Sequence, residues 1–178
     1  MKLLIIFLLS SLMVEAIYAE QRLLDIRPGF LCDQIPETEK RLGSLELSVH
    51  DGKGISQYAG TQGGKKATIE YRCDKGRLAE QVIIITITSR DEANRIANAQ
   101  KIKLAERLGN PIHDGLDLSI WKKLYFGFMG ADLDYLTSVV VWGRKKEDAM
   151  LLIMESGTNL WEIYISQGSS KSEYIFNS

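Results

Sequence analysis

Apolar and polar residues alternate along several segments of the chain, with the two-residue period of a strand that buries one face. The turn sequence Asp74-Lys75-Gly76-Arg77 predicts that two of these segments form an antiparallel hairpin. Short polar connections between the later segments predict an antiparallel meander. The predicted strands cover residues 44–50, 67–74, 78–88, 137–142, 149–155 and 160–166, and a last one covers residues 173–176.

The apolar period changes to that of an α-helix after residue 88. Ser89 and Glu92 have the spacing of a capping box, in which the serine hydroxyl and the carboxylate satisfy backbone N–H groups at a helix start. Pro111 follows the last periodic residue, so we predict a long helix over residues 90–108. Its apolar stripe consists of Ala93, Ile96, Ala97, Gln100, Leu104, Ala105 and Leu108.

Two further segments complete the predicted elements. Residues 33–42 predict a short helix, with proline in the first turn and basic residues in the last. Residues 116–125 fit either a short helix or an irregular strand, and the pattern does not decide between them.

These elements predict an α+β fold, in which an antiparallel sheet carries the helix of residues 90–108 across one face and a short N-terminal helix beside it. A closed β-barrel with a helix is the alternative. The chain has 178 residues and no internal repeat or linker, so we predict one domain over residues 20–178.

The first nineteen residues have the composition of a signal peptide. Lys2 precedes an apolar stretch over residues 3–14, and Ala19 is a small residue at which a signal peptidase could cut. About a dozen apolar residues are too few for a spanning helix, which needs about 20, although an uncleaved N-terminal anchor is the alternative. We therefore expect a periplasmic or secreted protein that begins near Glu20 and has no stable membrane anchor after cleavage.

Cys32 and Cys73 are the only two cysteines in the sequence. An even pair without the CxxC spacing in an exported chain predicts one structural disulfide. The bridge would join the short N-terminal helix to the first strand of the predicted hairpin. Two buried free thiols are the alternative.

Residues 51–66 are rich in glycine, glutamine and serine and show no apolar period, which predicts a long exposed loop. Loops of this length inside a compact domain are uncommon, and those that occur are usually functional or mobile. A disordered excursion is the alternative. We expect the loop to bind a partner, with Ile55, Gln57, Tyr58, Gln62, Lys65 and Lys66 as candidate contacts.

The remaining residues offer little support for cofactor, metal or nucleotide chemistry. The formal net charge of -1 argues against a nucleic-acid surface. His50 and His113 have no metal-ligand spacing, and the glycine-rich segment near Lys66 lacks the residues of a phosphate loop. We therefore predict no cofactor and no metal. One catalytic hypothesis remains, an envelope hydrolase using two carboxylates among Asp114, Asp117, Asp132 and Asp134.

Aromatic residues are concentrated in the last third of the chain. Either they form the core beneath the long helix, or some of them form an exposed patch for a partner. The residues concerned are Trp121, Tyr125, Phe126, Phe128, Tyr135, Trp142, Trp161 and Tyr164.

Export, one disulfide and the lack of a catalytic signature together predict a non-enzymatic binding module that recognises a protein or another envelope component. An inhibitor or an immunity-type protein of the cell envelope has these properties. The alternatives are the carboxylate hydrolase and a carrier of a small apolar ligand. The carrier would require a cavity of about 300 Å³ or more between sheet and helix.

Overall fold

The computed structural model describes residues 26–50, 54–143, 149–156 and 159–168. The described residues form two compact units, which divide between Ile85 and Thr86. The predicted signal peptide and the predicted strand over residues 173–176 lie outside the described residues. Within the described ranges, no helix has the length and apolar character needed to cross a membrane.

Unit 1 is built on four antiparallel strands. Helix α1 (Ile35–Arg41) follows a 3₁₀ turn (Cys32–Gln34) and precedes β1 (Leu45–His50), β2 (Ile55–Gln62), β3 (Lys65–Asp74) and β4 (Arg77–Ile87), whose last two residues fall in unit 2. The strands pair in the order β1-β2-β3-β4. The predicted short helix and the predicted hairpin of β3 and β4 are therefore confirmed.

The predicted exposed loop over residues 51–66 is wrong, because most of it forms β2 and the start of β3. Pairing with β1 on one side and β3 on the other satisfies the backbone of β2, although its sequence does not alternate clearly. Gly63 and Gly64 connect the two strands and both have positive φ, which the tight type I′ hairpin turn requires. This Gly-Gly pair was the sequence signal for the hairpin. Residues 51–53 lie outside the described residues.

β1 was predicted to bury the face that carries Leu45 and Leu47. Both side chains are exposed instead, at 73% and 56%. β1 stands at the end of the strand order in unit 1 and pairs with β2. An end strand has fewer neighbours to cover its side chains, so its alternating pattern does not guarantee a buried face.

The predicted disulfide is confirmed. Cys32 and Cys73 are bonded, with 6.3 Å between their Cα atoms, and the bridge joins the turn before α1 to β3. The chain just before Cys32 also runs along the β3–β4 turn, where the Cys32 N–H donates to the Gly76 carbonyl oxygen at 3.0 Å. The Leu78 N–H donates in return to the Phe30 carbonyl oxygen at 2.8 Å.

Unit 2 contains the long helix α2 (Arg90–Leu108), which packs against two strands of a second antiparallel group. The Ser89 hydroxyl accepts the Glu92 N–H at 3.5 Å, so the serine half of the predicted capping box is confirmed. The helix buries most of the predicted stripe, namely Ala93, Ile96, Ala97, Gln100 and Leu104. Gly109, with a φ of 82°, ends it.

The strands of unit 2 are β5 (His113–Asp114), β6 (Val139–Trp142), β7 (Ala149–Glu155) and β8 (Trp161–Gly168), paired in the order β5-β6-β7-β8. β6, β7 and β8 form the predicted meander. α2 contacts β7 and β8. The α+β fold, with antiparallel strands and a long helix across them, is confirmed. The described strands do not close on themselves, so the alternative of a closed barrel is wrong.

The undecided segment of the sequence is helical. A 3₁₀ turn (Gly115–Asp117) leads to α3 (Ile120–Phe128) and then to α4 (Leu133–Ser138). The strand predicted from residue 137 begins at Val139, because α4 extends through the first two of those residues. The Asp132 carboxylate accepts the Tyr135 N–H at 3.1 Å and thereby caps α4.

Candidate functional site

The candidate contacts from the predicted loop lie within the sheet of unit 1. Tyr58 and Gln62 are buried, each 2% exposed, whereas Ile55, Gln57 and Lys65 are half-buried and Lys66 is exposed. The Gln57 amide donates to Glu70 at 2.7 Å and accepts from the Ser48 hydroxyl at 3.1 Å, so it connects three neighbouring strands. Their role in binding stays a prediction, but these residues do not project from an exposed loop.

The position of Tyr58 has a measurable consequence at alkaline pH. Burial raises the pKa of the Tyr58 hydroxyl above its ordinary value, and the Glu46 carboxylate raises it further. A pKa that is higher in the folded than in the unfolded chain stabilises the fold below pH ~10, the unfolded value. This stabilisation is lost as the pH rises through the folded-state pKa.

We therefore expect Tyr58→Phe to lose less stability than the unsubstituted protein between pH ~10 and the folded-state pKa. Urea unfolding of both proteins over this pH range measures the difference. Burial also raises the pKa of Tyr135, but Tyr135 is present in both proteins, so the difference isolates Tyr58. Parallel loss of stability in the two proteins would contradict the prediction.

The aromatic residues of unit 2 divide into two groups. Trp142 is 1% exposed, and its indole N–H donates to the Gly109 carbonyl oxygen at 3.0 Å, so it belongs to the core. Trp161 is half-buried, with the Arg90 guanidinium 5.1 Å from its ring centroid. Tyr164 is half-buried as well. The core interpretation therefore holds for Trp142, whereas Trp161 and Tyr164 are only partly covered.

Helix α3 carries the other group and does not bury it. The Ser119 hydroxyl accepts the Lys122 N–H at 3.4 Å and caps the helix, yet no residue of α3 is buried. Six large apolar side chains are between 61% and 91% exposed. We call them the α3 surface: Ile120, Trp121, Leu124, Tyr125, Phe128 and the following Met129.

The α3 surface lies along one side of the helix. At about 100° per residue, its side chains span about 180° of the circumference, from Ile120 to Met129. Lys122 lies about 20° beyond Met129 at one edge of the apolar side chains, and Lys123 lies about 60° beyond Ile120 at the other. The segment from Ile120 to Met129 contains no acidic residue. The result is an apolar strip bordered on both sides by ammonium groups.

A groove of about 620 Å³ runs beside α3. Trp121, Tyr125 and Phe126 form one wall, and the preceding segment supplies Pro111, Ile112 and Leu118. The groove is open to solvent and lies beside α3. Its lining also includes His113 and Asp114 of β5, and the carrier hypothesis stays a prediction.

Residues 113–115, which lie beside the groove, are fixed in position by several contacts. Gly115 packs so tightly that a Cβ atom there would lie 2.0 Å from the Leu136 carbonyl oxygen. His113 Nε2 donates to that same carbonyl oxygen at 3.0 Å. The Lys101 ammonium pairs with the Asp114 carboxylate at 3.0 Å. One wall of the groove is therefore fixed by close packing, a hydrogen bond and an ion pair.

The four aspartates of the hydrolase hypothesis have different surroundings. Asp114 and Asp117 both line the groove, and Asp114 is paired with Lys101. The Asp132 carboxylate caps α4, and Asp134 is exposed on that helix. The hydrolase hypothesis stays a prediction. In the described part of the chain, no group of three or more metal-ligating side chains comes together.

The division of the tryptophans predicts a fluorescence result. A protein that retains only Trp121, with phenylalanine at the other two positions, should be quenched efficiently by acrylamide, because its indole is 77% exposed. A protein that retains only Trp142 should be strongly protected at 1% exposure. Equal quenching constants for the two proteins would contradict this arrangement.

Sequence reasoning identified the aromatic residues of α3 and offered a helix and an exposed patch as alternatives, but it decided neither. The apolar pairs Ile120–Leu124 and Trp121–Tyr125 have i,i+4 spacing, which was the available signal for an amphipathic helix. The chain matches no protein-family model, and neither a curated protein nor a solved structure shows significant similarity to it.

Proposed function

We propose that this protein is an exported, non-enzymatic binding module of the cell envelope that recognises a macromolecular partner through the α3 surface. The observation that carries the proposal is the exposure of six large apolar side chains on one short helix. Contiguous apolar patches of this kind mark interaction sites on soluble proteins.

The chemistry of the α3 surface favours recognition. Trp121 and Tyr125 are of the residue types that most often supply binding energy at interfaces. Ser119 caps the start of the helix, and α4 contacts it, so its side chains are presented by an ordered element. A preformed surface binds with a smaller loss of conformational entropy than a flexible segment.

Export is the second part of the proposal. The Cys32–Cys73 disulfide is typical of oxidising compartments outside the cytosol. The N-terminal pattern of Lys2, an apolar stretch and Ala19 supports the same location. An exported module would meet its partner in the periplasm or beyond the cell.

The test compares two variants that remove the same kind of side chain from different surfaces. Leu124→Ser with Phe128→Ser changes the α3 surface, and Leu45→Ser with Leu47→Ser changes the exposed leucines of β1. All four side chains are exposed, so both variants should keep the urea midpoint of the original protein. Each purified protein is mixed with an envelope fraction, and its sedimentation with that fraction is measured.

We expect the original protein and the β1 variant to sediment with the fraction equally. The α3 variant should lose at least about tenfold in apparent affinity for the fraction, because burying two central apolar side chains against a partner is worth several kcal/mol. Equal sedimentation of the α3 variant would overturn the proposal. Failure of the original protein to sediment would overturn it as well.

A further inference from the structure

We propose that the α3 surface binds an anionic lipid bilayer, with α3 lying in the plane of the interface. This inference rests on the proposed function, because it names the chemistry of the partner that the α3 surface recognises. Three features of the described residues carry it: the placement of the lysines, the types of apolar side chain and the size of the surface.

Lys122 and Lys123 lie at the positions that basic residues occupy on a helix bound at a membrane interface. When a helix lies in the bilayer plane, its apolar side enters the boundary between head groups and acyl chains, and basic residues face the head groups. Lys122 and Lys123 flank the α3 surface, about 20° beyond Met129 and about 60° beyond Ile120, and both side chains are exposed. Their long stems can follow the apolar surface while the ammonium groups contact lipid phosphates.

The apolar side chains are of the types found at membrane interfaces. Trp121 and Tyr125 each combine an apolar ring with a polar N–H or O–H, and such residues concentrate at the head-group level. Ile120, Leu124 and Phe128 lie on the same side of the helix and offer purely apolar groups to the acyl region. The helix therefore has an apolar part to insert and amphipathic rings to remain at the boundary.

The size of the α3 surface disfavours a second copy of this chain as the occupant. A stable protein interface buries about 800 Å² and about 20–30 residues on each partner. The α3 surface offers six residues on a helix about 14 Å long. Two copies that met along it would also bring four lysine ammonium groups to the edges of one contact. An anionic bilayer needs no complementary surface on a folded partner, binds in proportion to the apolar area that enters it, and attracts those groups.

Acidic residues limit the proposed contact to one side of this region. Asp134 lies on α4, and the Asp132 carboxylate caps the start of that helix by accepting the Tyr135 N–H. Asp114 is paired with Lys101, and Asp117 lines the groove beside α3. These carboxylates would be repelled by anionic lipid, so we expect insertion to involve the segment from Ile120 to Met129 and not α4 or the wall of the groove that carries Asp114 and Asp117.

The test uses protein-free vesicles of phosphatidylcholine, either alone or with about a quarter phosphatidylglycerol, which supplies the negative surface. The purified exported form is used, after mass spectrometry of its N-terminus, so that all proteins compared carry the same ends. We expect binding to the anionic vesicles with a blue shift of Trp121 fluorescence. Leu124→Ser with Phe128→Ser should reduce that binding at least about tenfold, and Leu45→Ser with Leu47→Ser should not change it.

Substitutions of the two lysines test whether binding depends on the negative charge of the lipid. Lys122→Gln and Lys123→Gln should each weaken binding to the anionic vesicles by about fivefold and leave binding to neutral vesicles unchanged. Added salt should reduce the effect of each lysine, because it screens exposed charges. Equal effects on neutral and anionic vesicles would overturn the role of the negative lipid.

The results separate this inference from the proposed function. If the original protein sediments with the envelope fraction in an α3-dependent manner but does not bind protein-free vesicles, the lipid inference fails and the binding function stands with a protein partner. An α3-dependent dimer in sedimentation equilibrium, without vesicle binding, would also overturn the lipid inference. If substitution of Leu124 and Phe128 affects neither assay, both proposals fail.

Discussion

Replacing Cys32 and Cys73 together by serine should lower the free energy of unfolding by about 4 kcal/mol, the largest stability loss that we expect from any change discussed here. The bond closes a loop with a sequence separation of 41 residues. In the chain-entropy description, opening a loop of this size gives the unfolded chain many more conformations and leaves the folded chain nearly unchanged. Both cysteines are half-buried, so serine at these positions costs little in packing.

Urea unfolding with and without a reducing agent measures this effect. The reduced original protein should match the double serine variant, because both lack the crosslink. A steeper dependence on urea is also expected without the bond, since the more open unfolded chain exposes more surface. A loss below about 1 kcal/mol would show that backbone hydrogen bonds between residues 29–32 and the β3–β4 turn are sufficient to hold this part of unit 1.

The elements that the sequence predicted well are those whose local signals and tertiary packing agree. The capping box at Ser89 and the stripe around Ile96 both favour α2, and the helix indeed packs that stripe against β7 and β8. The strand of residues 149–155 was predicted with the bounds that the structure has. Here alternation, short connections and burial all point to the same structure.

The sequence did not predict β2, because this strand is stabilised by pairing with the neighbouring strands β1 and β3. Its sequence offers no clear apolar period, and only pairing with β1 and β3 supplies partners for its backbone. The local signal was Gly63-Gly64, whose positive φ angles make the turn between β2 and β3. Weighting that turn above the polar composition would have predicted a hairpin in place of the loop.

The candidate site shows a different limit of sequence reasoning. The i,i+4 spacing from Ile120 to Phe128 is the pattern of a helix that packs its apolar side against a core. Periodicity records which side of a helix is apolar but not whether the folded chain covers it. Trp121 and Trp142 have the same chemistry, yet one is 77% and the other 1% exposed. Only the tertiary structure separates the binding candidate from the core residue.

Glu39→Ala should destabilise the protein by about 3 kcal/mol, although the residue is acidic and lies on a surface helix. Its side chain is 0% exposed, and its carboxylate accepts a hydrogen bond from the buried hydroxyl of Tyr71. The Gln81 amide donates to that hydroxyl at 3.3 Å. Removing the carboxylate leaves a cavity and takes away one partner of a buried hydroxyl, and both effects are costly in an interior of low polarity.

Glu37→Ala is the matched control, because Glu37 lies two residues earlier in the same helix and is exposed. Its expected effect is within about 0.5 kcal/mol. Tyr71→Phe keeps the ring and removes only the hydroxyl, so it should cost about 1–2 kcal/mol.

The double variant of Glu39 and Tyr71 should lose less than the sum of the two single losses, because the single changes remove the same hydrogen bond. Urea unfolding of the four proteins completes the cycle. Additive losses, or equal effects of Glu37→Ala and Glu39→Ala, would contradict the role assigned to this contact. A coupling of about 1 kcal/mol or more would show that the hydrogen bond between α1 and β3 helps to hold the helix on the sheet of unit 1.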